Sequence, residues 1–150
     1  KSIIAWFFIT RNGVNIYNTV DIKAKDKNLF VYNASVTKGM IPLVNEIWPR
    51  IKKQIPDAKL TIIGGYYRFS KKHQPDQQEK DWHTMANNPV NASLNIEFTG
   101  VIPQKEIAEI LSSANFMIYP AAFPETFGIS TVESLCYNTP LITCRFGAIS

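Results

Sequence analysis

The chain has 150 residues, of which 45% are hydrophobic and 19% are charged, and this is the composition of a globular domain rather than of a disordered or fibrous protein. The net charge of +4 is small and scattered, so nucleic-acid binding, which requires dense basic clusters, has no support. The longest apolar run, at residues 3–9, is far shorter than the about 20 residues that a helix needs to cross a bilayer.

Short apolar segments alternate along the chain with patterns of helical spacing, which is typical of successive βαβ units. Most of these segments are apolar throughout, as expected for strands that helices cover on both faces. The predicted strands are residues 3–9, 29–32, 60–63, 96–99, 116–119 and 141–144. The sequence therefore predicts an α/β fold with a Rossmann-like, doubly wound and mostly parallel sheet, in a single domain over residues 1–150.

The first two predicted helices differ in how clearly the sequence marks them. Apolar residues at helical spacing from Met40 to Ile55 predict the first, and Pro49 inside it predicts a kink, because an interior proline removes a hydrogen bond. The polar stretch 66–94 is predicted to be a long loop with one helix around residues 79–86.

Two further helices are predicted near the end of the chain. The third has Pro103 in its first turn, and its predicted buried stripe is Ile107, Ile110, Leu111 and Ala114. The fourth carries on one side Ile129, Val132, Leu135 and Cys136. It is predicted to end at Asn138 in a left-handed conformation, before Thr139 and Pro140.

Ligands of doubly wound sheets bind at the carboxyl ends of the strands, so the functional residues are expected in the turns that follow them. These turns are residues 33–39, 64–68, 100–102, 120–128 and 145–148.

The segment PETFGISTVES, residues 124–134, holds two carboxylates on either side of a glycine. Gly128 opens a helix, where free backbone N–H groups and the helix dipole favour a phosphate. Glu125 lies just outside that turn, and Glu133 lies about one turn inside the helix. This arrangement suits a ligand with a polyhydroxy group at each end of a diphosphate, which is the shape of a nucleotide-sugar.

A purely structural interpretation of the same segment stays open. Ser130 and Glu133 fit the S/T-x-x-E capping box, in which Glu133 would only stabilise the start of the helix. Glu125 would then be a solvated loop residue.

Other turns offer weaker candidates. Lys38, followed by Gly39, could direct its ammonium group at the same diphosphate or could be an exposed lysine at a helix start. Gly64 permits close approach of a ligand to the backbone, although no G-x-G-x-x-G or Walker pattern follows it. The histidines and cysteines have no metal-ligand spacing, and no metal site is predicted.

Several segments in order resemble the C-terminal, nucleotide-sugar-binding domain of retaining GT-B glycosyltransferases of the family-4 type, the glycosyl transferases group 1. The most specific is Glu125 with Glu133, which resembles the E-x7-E motif of that family. The other segments that carry the resemblance are NGVN at residues 12–15, the strand and loop at 29–39, PDAKLTIIGG at 56–65, FTGV at 98–101 and NTPLI at 138–142.

The resemblance implies a role for individual residues. Glu125 would be catalytic and contact the donor sugar near its reacting carbon, and Glu133 would bind the ribose hydroxyls. The other donor-binding residues would be Lys38 at the diphosphate, the backbone of Phe127, Gly128 and Ile129, the turn at Gly64, and Val101 and Ile102 near the base.

The resemblance also implies a reaction and its partners. A hexosyl group would pass from a nucleotide-diphosphate sugar to a saccharide, lipid-linked or other acceptor with retention of configuration, and no cofactor or metal is expected. An N-terminal acceptor domain and further C-terminal residues are expected beyond this chain, so the chain alone should bind a donor without turnover. The full-length protein could contact a membrane peripherally.

One departure from the family pattern leaves other functions open. The family has an arginine about five residues before the lysine, where this chain has Asn33, so one diphosphate contact is either missing or supplied elsewhere, with Arg68 and Arg145 as the candidates. A non-catalytic nucleotide- or sugar-binding module, or a partner subunit on the same fold, is the alternative. A sugar-nucleotide epimerase is a third possibility, against which the E-x7-E spacing argues.

Cys136 and Cys144 form no bridge pattern and lie in apolar surroundings. They are expected to be buried thiols in a reducing, cytoplasmic compartment.

Overall fold

The computed structural model describes residues 24–64, 77–122 and 124–147. Within these ranges five parallel strands form one sheet in the order β3-β2-β1-β4-β5. The strands are β1 Asp26–Asn33, β2 Lys59–Ile63, β3 Ile96–Gly100, β4 Ala114–Tyr119 and β5 Leu141–Thr143. The predicted fold class and five of the predicted strands are thus confirmed, whereas the strand predicted at residues 3–9 lies outside the described residues.

Six α-helical segments are present between these strands in the part of the chain that the structure describes. They are α1 Met40–Pro42, α2 Trp48–Gln54, α3 Gln77–Ala86, α4 Pro89–Ser93, α5 Gln104–Ser113 and α6 Ile129–Cys136. All four predicted helices are present. The short helix α4, which falls in a predicted loop, is additional. Its signal in the sequence is Asn88-Pro89: the Asn88 side chain accepts a hydrogen bond from Val90 N at 3.0 Å, and Pro89 takes the first helical position.

The irregularity predicted at Pro49 takes the form of a π-helical segment, Leu43–Ile47, which separates α1 from α2. At its end Trp48 N–H bonds to Leu43 O, five residues back. Pro49 then falls in the first turn of α2, where a proline is tolerated because the amide hydrogen it lacks has no partner within that turn.

Aromatic and aliphatic side chains from the strands and from the flanking helices form one core. Trp48 is fully buried and meets the ring of Phe30 edge-on at 5.6 Å, while its Nε1 donates to Leu94 O at 2.9 Å. Burial of each large apolar side chain stabilises the fold by about 1.5–3 kcal/mol. The predicted stripe of α5 is confirmed, since Leu111 and Ala114 are buried and the two isoleucines pack against the core.

The helix α6 differs from its predicted pattern. Its apolar residues Ile129 and Leu135 are 46% and 57% exposed, and its buried residues are Thr131 and Ser134. Both hydroxyls donate to carbonyls of the same helical region, Thr131 to Gly128 O at 2.6 Å and Ser134 to Thr131 O at 2.8 Å. Because the hydroxyls are paired, these small side chains can be buried without an unsatisfied polar group.

The end of α6 follows the prediction, but the cysteines do not. Asn138 has φ 56°, the left-handed conformation expected of it. Cys144 is exposed and Cys136 is partly exposed. Cys144 directly follows β5, which is one of the two outermost of the described strands, and Cys136 is the last residue of α6. Among the described helices, none is long and apolar enough to cross a membrane.

Candidate functional site

An open cavity of about 430 Å³ lies at the carboxyl ends of β1 and β4. These two strands are neighbours in the sheet although β2 and β3 separate them in sequence, so the cavity occupies the switch point where ligands of such folds bind. Its lining residues are Asn33, Ala34, Ser35, Lys38, Gln104, Ile107, Glu125, Thr126, Phe127, Gly128, Ile129, Ser130 and Glu133. The lining thus includes six of the nine predicted site residues.

The remaining three predicted residues do not line this cavity. Gly64 lies at the end of β2, and its N–H bonds to Gly100 O at 3.0 Å, which ties β2 to β3 instead. Val101 is 63% exposed and Ile102 is partly exposed, and both follow β3, the strand farthest from β4 on that side of the sheet. The structure therefore does not bring these three to the glutamates.

Glu125 is held by two donors at one of its oxygens. Lys38 Nζ lies 2.5 Å from Glu125 Oε1, and the hydroxyl of Tyr119 donates to the same oxygen. The Glu125 side chain is only 8% exposed. Burial by itself would raise the pKa of Glu125, but the bonds from Lys38 and Tyr119 outweigh it, so the pKa lies below its usual value. Glu125 is therefore an ionised, fixed carboxylate, and the interpretation as a solvated loop residue is wrong.

A close backbone contact brings Lys38 to this carboxylate. Gly39 has φ 117°, and a Cβ at this position would lie 2.0 Å from Pro120 O. Only glycine allows the loop after β1 to touch the loop after β4 in this way. Because Lys38 precedes Gly39, the contact sets its side chain beside the loop that carries Glu125.

A second glycine packs closely against the backbone of Glu125. Gly147, after β5, forms an isolated parallel bridge with Glu125. It has φ 66°, and a Cβ there would lie 2.6 Å from Glu125 N and 2.7 Å from Glu125 O. The turn predicted at residues 145–148 thus contributes to the site by fixing the position of Glu125.

Glu133 lies on the other side of the cavity in a different environment. It is the fifth residue of α6, and its Oε1 accepts a hydrogen bond of 2.7 Å from Gln104 Nε2. Burial raises the pKa of Glu133, and the bond from Gln104 offsets part of that rise. The capping-box interpretation is wrong, because Gly128 is the N-cap, Ser130 lies inside the helix, and the carboxylate binds Gln104.

The start of α6 opens between the two glutamates. Gly128 has φ 77° and ψ 60°, and no side chain caps the helix. Gly128, Ile129 and Ser130 all line the cavity. An uncapped helix start carries partial positive charge, so this part of the lining favours an anion.

Two contributors to the site have weak or no signals in the sequence. Tyr119 ends a predicted strand, so the sequence alone suggests a core residue. Gln104 is one polar residue among several at the start of α5. Tyr119 could be suspected from its polar tip at the carboxyl end of a strand, where functional groups collect. For Gln104 there is no such signal, because its partner is 29 residues away.

No metal centre is evident in residues 24–64, 77–122 and 124–147, where no group of three or more His, Cys, Asp or Glu side chains could hold an ion. The profile of the family described as glycosyl transferases group 1 matches residues 17–150 of the chain. No curated protein matches the sequence significantly.

Solved structures share the fold at low sequence identity. The S. aureus protein TarM, in a complex that contains UDP, is 17% identical with a TM-score of 0.65, and the match covers 89% of this chain and 25% of TarM. The Anabaena protein HepE, in complex with UDP-glucose, is 13% identical with a TM-score of 0.58 and coverage of 83% and 31%. Sucrose-phosphate synthase from Thermosynechococcus elongatus is 23% identical with a TM-score of 0.63 and coverage of 83% and 29%.

This chain therefore spans between 25% and 31% of the length of these three proteins. At such identities the similarity establishes the fold.

Proposed function

The chain belongs to the glycosyl transferases group 1 family, and on that premise we propose that it is the donor-binding domain of a retaining GT-B glycosyltransferase. The domain would bind a nucleotide-diphosphate sugar, from which the whole enzyme transfers a hexosyl group to an acceptor. The observation that carries the proposal is the cavity that holds together Glu125, Lys38, the open start of α6 and Glu133.

The chemistry of these groups fits the parts of a nucleotide-sugar. The uncapped start of α6 and the ammonium group of Lys38 attract the diphosphate. Glu133 would accept hydrogen bonds from the ribose hydroxyls, and Glu125, which Tyr119 and Lys38 keep ionised, would face the sugar. Gly64, Val101 and Ile102 stay predictions. Ile102 lies only two residues before Gln104, which supports a base position on that side.

In the proposed reaction the bond between the anomeric carbon and the diphosphate oxygen breaks. The diphosphate leaves with the electron pair, the acceptor hydroxyl attacks the same face of the sugar, and its proton passes to an oxygen of the departing diphosphate. The positive charges near the diphosphate stabilise its developing charge, and the fixed carboxylate of Glu125 stabilises the oxocarbenium-like sugar. The proposed steps use no metal ion, and this stays a prediction.

A non-catalytic binding module is the second candidate, and the charge of the cavity favours it. Among the described lining residues Lys38 is the single cationic side chain, whereas Glu125 and Glu133 are both acidic. Asn33 lines the cavity where the family has an arginine. Among the described lining residues, a diphosphate would therefore find only the backbone of α6 and one lysine.

Titration of the chain with UDP, GDP and ADP, and then with the corresponding nucleotide-sugars, tests the donor-binding function, and absence of binding would favour a module with a degraded phosphate site. We expect one nucleotide to bind, and Glu133→Ala to weaken it about tenfold because charged hydrogen bonds to the ribose are lost. Glu125→Gln should leave the nucleotide affinity unchanged or improve it, since a negative charge is removed, but should reduce the additional affinity that the sugar provides.

Two results would contradict the proposal. If no nucleotide binds at millimolar concentration, the donor-binding function is wrong for this chain. If Glu125→Gln and Glu133→Ala affect nucleotide and nucleotide-sugar equally, the two acids have no separate roles. The acceptor, the cytoplasmic location and any membrane contact stay predictions that require the full-length protein.

A further inference from the structure

The hydrogen bond between Gln104 and Glu133 joins two separate parts of the cavity wall. Gln104 is the first residue of α5, which follows β3, and Glu133 lies in the second turn of α6, which follows β4. Both side chains line the cavity, and their bond of 2.7 Å is well formed. The position of one side chain is thus coupled to the other.

This bond determines which atoms stay available for a ligand. An ionised carboxylate only accepts hydrogen bonds, so the amide of Gln104 must present its NH2 group to Glu133 Oε1. The amide oxygen of Gln104 then points elsewhere. Within the described part of the chain, neither this amide oxygen nor Glu133 Oε2 has a hydrogen-bond partner. The pair therefore offers two acceptors on adjacent groups.

A ribose presents the complementary pattern, because its neighbouring 2′ and 3′ hydroxyls are two donors on adjacent carbons. We infer that Gln104 is a ribose-specificity residue. Its amide fixes the Glu133 carboxylate, Glu133 Oε2 accepts one of the two hydroxyls, and the Gln104 amide oxygen accepts the other. This inference rests on the proposed function, which assigns the ribose to Glu133.

Discrimination against deoxyribose follows from the same geometry. A sugar that lacks one hydroxyl loses one of the two hydrogen bonds, and the acceptor that it leaves unpaired is on an otherwise fixed pair of side chains. Without the amide of Gln104, the carboxylate can rotate and bind a single hydroxyl in several orientations. The preference for ribose should then fall.

The experiment compares the nucleoside diphosphate among UDP, GDP and ADP that binds the chain most tightly with its 2′-deoxy and 3′-deoxy forms. We expect the wild type to bind at least one deoxy form about tenfold more weakly. Gln104→Met, which keeps the length of the side chain, should weaken the ribonucleotide about five- to tenfold and leave that deoxy form nearly unchanged.

The matched control is Gln54→Met, an exposed glutamine at the end of α2 that does not line the cavity. It should change neither affinity. Thermal unfolding of both variants checks that each stays folded.

Each outcome has a distinct meaning. Loss of the ribose preference in Gln104→Met alone supports the inference. Unchanged binding, or equal weakening of the ribonucleotide and the deoxy form, overturns it while the proposed function stands. If the wild type binds none of the three nucleotides, the proposed function fails, and the inference falls with it.

Discussion

At the scale of single residues, two glutamates of one cavity have opposite electrostatic environments. Lys38 and Tyr119 lower the pKa of Glu125, whereas burial raises that of Glu133. The first carboxylate is therefore held as a fixed negative charge, and the second is the better partner for neutral hydroxyl groups. Paired acids with separated pKa values are a common sign of divided roles at a functional site.

The glycine that brings Lys38 to the site should tolerate no side chain. Gly39→Ala would combine a positive φ with a clash against Pro120 O, so we expect it to lower the free energy of unfolding by about 2 kcal/mol more than Gly64→Ala does. Gly64 is the matched control, because its φ is 103° but no atom of the described residues lies within 4 Å of the point that a Cβ would occupy there. Denaturant unfolding measures both, and equal losses would show that the contact with Pro120 is unimportant.

The sequence predicted most individual residues of the site but not the contacts between them. Glu125, Lys38 and Glu133 could be predicted because Glu125 and Lys38 lie in turns that follow strands and Glu133 lies in the helix that Gly128 opens, and these properties are local. Tyr119 and Gln104 could not be predicted with certainty, since Tyr119 meets Glu125 only through the fold of the loop after β4, and Gln104 meets Glu133 only where α5 and α6 come together. Gly64, Val101 and Ile102 do not line the cavity because their turns follow β2 and β3, and strand order is not a local property.

At the scale of elements, one lysine joins the ends of two helices. Lys25 Nζ donates to Leu111 O at 3.2 Å in α5, to Tyr137 O at 2.9 Å after α6, and to Thr139 Oγ1 at 2.9 Å. A cation at the carboxyl end of a helix is favoured by the helix dipole. Burial lowers the pKa of Lys25, which shows that the ammonium group is partly removed from water.

Loss of this lysine should therefore loosen the end of α5 and the segment after α6. Lys25→Met removes three hydrogen bonds and keeps the aliphatic part of the side chain, so we expect the free energy of unfolding to fall by about 1–3 kcal/mol. The control is Lys27→Met, an exposed lysine two residues along β1. Urea unfolding measures the free energy of unfolding of both variants. A loss of stability in Lys25→Met no larger than that of the control would show that Lys25 contributes little.

The elements that sequence reasoning predicted well are those with a strong apolar pattern. The strands and α5 have such patterns, and their burial in the structure follows them. The helix α6 misled the prediction because its buried side consists of Thr131 and Ser134, whose hydroxyls bond within the helix. Buried hydroxyl residues look like surface residues in a sequence, and their pairing becomes visible only in three dimensions.

At the scale of the whole molecule, the ionised state of Glu125 should make stability depend on pH. The folded pKa of Glu125 is lowered, so its contribution is complete above the unfolded value of about 4.3 and is lost as the pH falls through the folded value. We expect Glu125→Gln to lower the free energy of unfolding by about 1–3 kcal/mol at pH 7, and the difference from wild type to shrink below about pH 4.

Tyr119→Phe shows how much of the lowered pKa of Glu125 is due to Tyr119 rather than to Lys38. It removes one bond to Glu125, so it should raise the pKa of that carboxyl group, which an NMR titration measures directly. Tyr32→Phe is the control, because that buried hydroxyl donates to Ser35 O at 2.7 Å and not to Glu125. A pKa that is unchanged in Tyr119→Phe, or a stability difference in Glu125→Gln that does not vary with pH, would contradict this account.

The bridge from Gly147 to Glu125 has a practical consequence for protein engineering. Libraries that aim at a new sugar preference would normally vary every position around the carboxylate, including the stretch that follows β5. A Cβ at position 147 would lie only 2.6 Å from Glu125 N, so any residue other than glycine there displaces Glu125. Diversity is better introduced at Thr126, which is exposed and lines the cavity.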